Sequence, residues 1–123
     1  MPVFVFGVEE HGVPLPLISR QARLVVWPGS GAQVASMNHV VLEPGEANVP
    51  HAHAESEDTI FVLEGRGSVR DFTHDLVLPV EAGCVIHVPE GVRHAVAAET
   101  RMVSVGGPCP PDLEMLRATG VLK

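Results

Sequence analysis

Glycine and proline cut this chain into short pieces, and that spacing restricts the fold before any other feature is considered. The 12 glycines and 11 prolines cluster at Pro28-Gly29-Ser30-Gly31, Glu43-Pro44-Gly45, Glu64-Gly65-Arg66-Gly67, Glu81-Ala82-Gly83 and Pro89-Glu90-Gly91. Such clusters mark turns. The runs between them are rich in valine, whose β-branched side chain favours strands. Strands are expected at 3–8, 23–27, 33–42, 59–63, 68–71, 84–88, 95–98 and 102–105. Many short strands at even spacing imply an all-β sandwich or barrel. One helix is expected, at 111–118, with proline and aspartate at its start and Gly120 just past its end. Residues 106–111 read as a stiff exit from the last strand. At 123 residues the chain is expected to form a single domain.

The formal charge is −7 with no lysine or arginine cluster, which argues against nucleic acid or an anionic membrane as partner. No apolar run approaches the roughly twenty residues of a membrane span. The N-terminal stretch has no basic region and runs into Glu9-Glu10, so it does not read as a secretory signal. Cys84 and Cys109 lie far apart in no metal or redox pattern. Cys84 reads as a small buried hydrophobe, and a reducing cytoplasm is the expected compartment.

The chemistry concentrates in two short stretches. The first is Pro50-His51-Ala52-His53-Ala54-Glu55-Ser56-Glu57-Asp58; the second is Pro89-Glu90-Gly91-Val92-Arg93-His94. In extended backbone, residues two apart share a face, so His51 and His53 aim together. With His94 and one carboxylate they supply a full inner shell for one divalent transition metal: Fe, Mn, Ni, Zn, Co or Cu. Counting back from Gly65 selects Asp58 as the carboxylate. Counting forward from His53 allows Glu57. Adjacent strand residues face opposite sides, but both faces of the 59–63 run are apolar, so periodicity does not decide. Asp58 is taken as the ligand, Glu57 as its alternative, and a site of three histidines alone as a further version. His39, His87 and Arg93 are second-tier candidates to line the pocket. Met37 and Phe61 read as core residues. The chain has no tyrosine, so no tyrosyl acid or base is available.

These stretches resemble the two motifs of the cupin superfamily. The first motif reads Gly45, five residues, His51-Ala-His53, four residues, Asp58, six residues, Gly65. The second reads Gly83, five residues, Pro89-Glu-Gly91, two residues, His94, three residues, Ala98. Asp58 stands at the family's glutamate position, and Ala98 at its closing asparagine. The resemblance implies a jelly-roll barrel, or double-stranded β-helix, with a metal inside and motifs at 45–65 and 83–98. The tail, 106–123, then carries the short C-terminal helix. The resemblance does not select a reaction, since the superfamily spans dioxygenases, decarboxylases, isomerases, lyases and non-catalytic binders.

Three readings follow. The first is a metal-dependent enzyme on a small organic acid, enol or sugar derivative, with dioxygenase chemistry the largest share. The second is a cupin that binds metal or a small ligand without turnover. The third is a structural barrel with an empty site. A homodimer is expected, with the apolar stretch at 3–8 adding to a partner's sheet.

Overall fold

The computed structural model describes residues 2–122. Nine strands form two antiparallel sheets: β1 (Val13–Pro14), β2 (Gln21–Val26), β3 (Met37–Leu42), β4 (Glu57–Glu64), β5 (Arg66–Asp71), β6 (Leu76–Glu81), β7 (Val85–Val88), β8 (His94–Ala98) and β9 (Met102–Cys109). The larger sheet runs β1-β2-β3-β9-β4-β7, and the smaller β6-β5-β8. A stretch outside the named strands extends the smaller sheet. Asn48 N–H donates to Val96 O, and His51 and His94 exchange backbone hydrogen bonds of 3.1 and 2.9 Å. The sheets do not close into one continuous ladder, but they face each other as in a jelly roll.

Alternation along each strand decides what faces the space between the sheets. On β4, Asp58 and Val62 are buried, while Glu57, Thr59, Phe61 and Leu63 are exposed. Val62, Ile86, Val88, Val96, Met102 and Leu42 meet in the main core. A second cluster joins Leu15, Ile18, Ala22 and Leu24 to Leu116 of the C-terminal helix α2 (Leu113–Ala118). That helix starts two residues later than expected, at Leu113, because Asp112 caps it: its side chain accepts a hydrogen bond from Met115 N–H, replacing a partner that the first helical turn lacks. Gly65 turns β4 into β5 with φ of 81°, and a Cβ there would lie 1.9 Å from Arg101 O. Only glycine fits that backbone.

Several expectations need correcting. Residues 3–7 form no strand, and the only regular structure nearby is one helical turn, α1 (Val8–His11). Val3 and Val5 are almost fully exposed, so no hydrogen-bond ladder holds them. The strand at 76–81 was not expected, because Pro79 interrupts its apolar run. Proline is tolerated there since β6 lies at a sheet edge. The last strand continues to Cys109 instead of stopping at 105, so most of the supposed exit segment is ladder. Met37 and Phe61 belong to the outer surface, not the core. Both cysteines are free, with Cys109 exposed.

Candidate metal centre

Four side chains from three parts of the chain converge between the sheets. His94 opens β8, and His51 sits opposite it through the paired backbone hydrogen bonds. His53 follows on the loop that leads to β4, where Asp58 occupies the second, inward position. Gly91 fastens the two motif loops together by donating its N–H to His53 O at 2.8 Å. One ligand atom from each of His51, His53, Asp58 and His94 lies within 4.8 Å of all the others. Asp58 Oδ2 is 3.3 Å from His53 Nε2 and 3.6 Å from His94 Nε2. His53, Asp58 and His94 are all at most 5% exposed.

The hydrogen bonds around this cluster assign its protons. His51 Nδ1 lies 2.7 Å from Val49 O, and His94 Nδ1 lies 3.0 Å from Val92 O. A carbonyl only accepts, so both Nδ1 atoms carry the hydrogen. His53 Nδ1 lies 2.8 Å from Asp112 Oδ2 and donates to it. In each ring the remaining lone pair is therefore on Nε2. His53 Nε2, His94 Nε2 and Asp58 Oδ1 are buried without any hydrogen-bond partner. Buried polar atoms are normally satisfied. A group of imidazole lone pairs and a carboxylate oxygen turned toward one another, each ring fixed from behind, is the arrangement a metal ligand set requires. The residues present fit the group.

Electrostatics agree with that fit. Burial pushes the His51 imidazole down to about 4, so this ring is neutral at pH 7. Burial alone would raise the Asp58 carboxyl, but the imidazoles of His53 and His94 beside it outweigh burial and hold the group below the usual carboxylate range. Burial would likewise lower His53, yet Asp58 and Asp112 together hold it above its ordinary value. Protonation of His53 at Nε2 therefore competes with ion binding there.

The other sequence candidates lie elsewhere. Glu57 points outward from β4 and bonds His87 Nε2 at 3.0 Å. That outward His87 also meets Thr59 Oγ1, and it is excluded from the cavity because its neighbours Ile86 and Val88 take the inward positions of β7. On β3 the inward residues are Asn38 and Val40, which leaves His39 on the outer face. Arg93 is exposed; its backbone N–H donates to Thr73 Oγ1 and its carbonyl accepts from Phe72 N–H. None of the three borders the cavity onto which the cluster opens. That cavity has a volume of about 50 Å³ and lies between the barrel interior and the second core. Sequence reasoning missed Asp112, Asn38 and Asn48, all of which line it. Asp112 was visible only as a helix start; nothing local signals a contact with a histidine 59 residues away.

Comparison with known proteins is consistent with this geometry. The family model of the cupin domain, Cupin_2, matches residues 38–106. The chain belongs to this family. Among curated proteins, this cupin is 33% identical over 76 residues to germin-like protein subfamily T member 2 of Arabidopsis thaliana, covering 59% of this chain and 34% of that protein. It is 31% identical over 74 residues to oxalate oxidase 2 of Hordeum vulgare, covering 55% and 33%. The matched part thus spans about a third of the length of these relatives. Among solved structures, KdgF from Halomonas sp. superposes with a TM-score of 0.69 at 18% identity, covering 94% of this chain and 100% of that one. Ectoine synthase from P. lautus gives 0.67 at 18%, covering 89% and 79%. A double-stranded β-helix protein from Klebsiella pneumoniae gives 0.68 at 17%, covering 90% and 92%. These likenesses establish the fold. Among the described residues no helix is long and apolar enough to cross a membrane.

Proposed function

We propose that this cupin holds one divalent transition metal through His51, His53, Asp58 and His94 and acts as a metal-dependent enzyme on a small organic acid, enol or sugar derivative. The observation that carries the reading is the pair of buried, unpartnered nitrogens His53 Nε2 and His94 Nε2, 3.3 and 3.6 Å from Asp58 Oδ2, in a cluster that His51 completes. Fe, Mn, Ni, Zn, Co and Cu all accept such a mixed set. A bound ion would supply Lewis acidity toward a carbonyl or enol and, for a redox metal, access to O₂ chemistry. The chain's own contribution is positional. Val49 O, Val92 O and Asp112 hold the Nδ1 protons and so keep the three rings turned inward. Leu15, Ile18, Ile60 and Leu116 line the cavity and keep bulk water from the polar cluster, which strengthens every interaction inside it.

Two enzymes, oxalate oxidase 2 and ectoine synthase, stand among the similar proteins, and they support the enzymatic reading. The narrow cavity favours the second reading, a cupin that binds metal and a small ligand without turnover. Elemental analysis of chain purified without chelator, followed by O₂ uptake and substrate consumption with a panel of hydroxy acids, enols and catechols, separates them. Near-stoichiometric metal with turnover of a panel member supports the enzyme. Metal without turnover supports the binder, and no metal removes both.

A further inference from the structure

Beside the metal cluster the same cavity carries a second polar feature that the ligand set does not use. Asn48 is 9% exposed, and its Nδ2 is buried with no hydrogen-bond partner. Asn38 Oδ1 is also buried and unpartnered. Both residues line the cavity. One offers a donor and the other an acceptor, and neither is engaged by the protein. An unsatisfied buried polar group costs about 1–3 kcal/mol, so two in one small cavity point to a partner that comes from outside. The space beside Asn38 has a local cause. Its cross-strand neighbour on β9 is Gly106, which in turn faces Ile60 on β4. A Cβ on Gly106 would lie 2.0 Å from Thr59 O, so no side chain fills the floor next to the amide.

Charge narrows the chemistry further. Among the described residues the lining contains no lysine or arginine, but it does contain two carboxylates, Asp58 and Asp112. Those two formal negative charges match the two positive charges of a divalent ion. A dianionic ligand would then bring uncompensated charge into a partly enclosed, largely apolar space, which is costly. Size sets the remaining limit. A cavity of about 50 Å³ holds on the order of four waters, hence a ligand of only a few heavy atoms.

We propose that Asn38 and Asn48 form a neutral amide subsite that binds the hydroxyl and carbonyl groups of a small uncharged ligand, of the α-hydroxy-carbonyl class, next to the metal centre. Asn48 Nδ2 donates to the ligand's carbonyl or hydroxyl oxygen, and Asn38 Oδ1 accepts from a hydroxyl. The proposal rests on the metal-centre reading above and selects the enol or sugar-like side of its substrate range over the diacids.

The test uses hydroxyacetone as the neutral probe, with malonate as the dianionic one. Saturation-transfer NMR on the full chain measures the binding of each, with and without added Co(II). Cobalt content is measured separately on the same samples. The expected result is transfer to hydroxyacetone at a concentration at least tenfold below that needed for malonate. In Asn38→Leu and in Asn48→Leu, hydroxyacetone binding should weaken at least tenfold while cobalt content stays the same. Two separate variants are used so that misfolding of one, seen as a lost thermal transition, leaves the other informative. No transfer to hydroxyacetone, unchanged binding in a folded variant, or malonate binding as tightly as hydroxyacetone would each overturn the subsite. Failure of the wild-type chain to take up cobalt would overturn the metal reading alone, because the amide test can still be run on the metal-free chain.

Discussion

Replacing Asp112 separates two functions that one carboxylate performs at once. Its Oδ1 accepts from Met115 N–H at 3.0 Å and caps α2, while its Oδ2 accepts from His53 Nδ1 at 2.8 Å. Serine ranks with aspartate as a capping residue, but its one hydroxyl, held at the cap, does not replace the second carboxylate oxygen that meets His53. Asp112→Ser should therefore keep the helix within a few tenths of a kcal/mol of its present stability. It should still release His53 from behind. Removing such an outer partner typically weakens metal binding 10–100-fold, or about 1.4–2.8 kcal/mol. Asp112→Ala should show the same loss in metal affinity plus about 1 kcal/mol from the lost cap. Metal affinity is read by competition with a chromophoric chelator, and stability by thermal unfolding of the metal-free protein. If Asp112→Ser binds metal within threefold of the parent, the hydrogen bond to His53 does not orient a ligand and the reasoning fails.

Other consequences are as direct. Asp58→Asn should cut metal affinity at least tenfold, whereas Glu57→Gln should leave it unchanged, because Glu57 faces outward to His87; equal losses in the same chelator competition would reinstate the alternative carboxylate. Metal affinity should fall on acidification beginning above pH 6.5, since His53 is held above its ordinary value and must lose that proton to bind; a flat affinity between pH 8 and 6 would contradict this. Without metal, the same proton stabilises the fold fully below about pH 6.5 and its contribution disappears as pH rises through the raised value. His51 acts oppositely: its contribution is present above about 6.5 and is lost as pH falls toward 4, so metal-free unfolding curves across this window should show both trends. Gly106→Ala should destabilise the chain by about 1–3 kcal/mol, as overpacking does, because its Cβ would meet Thr59 O and Ile60 Cα; an unchanged unfolding midpoint would show that β4 and β9 can separate freely.

Much of the site was legible because motif spacing is local information. His51, His53 and His94 fall on backbone whose turns are set by nearby glycines and prolines, so their convergence follows from the same residues that define the strands. Motif spacing back from Gly65 selected Asp58 over Glu57, but periodicity could not, because the outer face of β4 carries Phe61 and Leu63 and mimics a core face. Burial of Asp58 and Val62 against exposure of Glu57, Phe61 and Leu63 shows which side is interior. Alternation likewise gives His39 and His87 a face without saying which is inside; neither borders the cavity at the metal cluster, and His87 borders a separate one that His94 also lines. Asp112, Asn38 and Asn48 escaped notice because their roles depend on partners or empty space that no sequence window contains. The strand β6 was hidden by Pro79, whose meaning depends on the strand being an edge.

The central claim is that four side chains share one ion. X-ray absorption at the metal edge of the loaded protein, with metal content per chain, measures it most directly. The account predicts about one metal per chain, a first shell of nitrogen and oxygen near 2.0–2.2 Å with imidazole scattering from three rings, and loss of the metal in His53→Ala with His94→Ala. A stoichiometric metal that survives that double substitution, or a shell without imidazole, would contradict it.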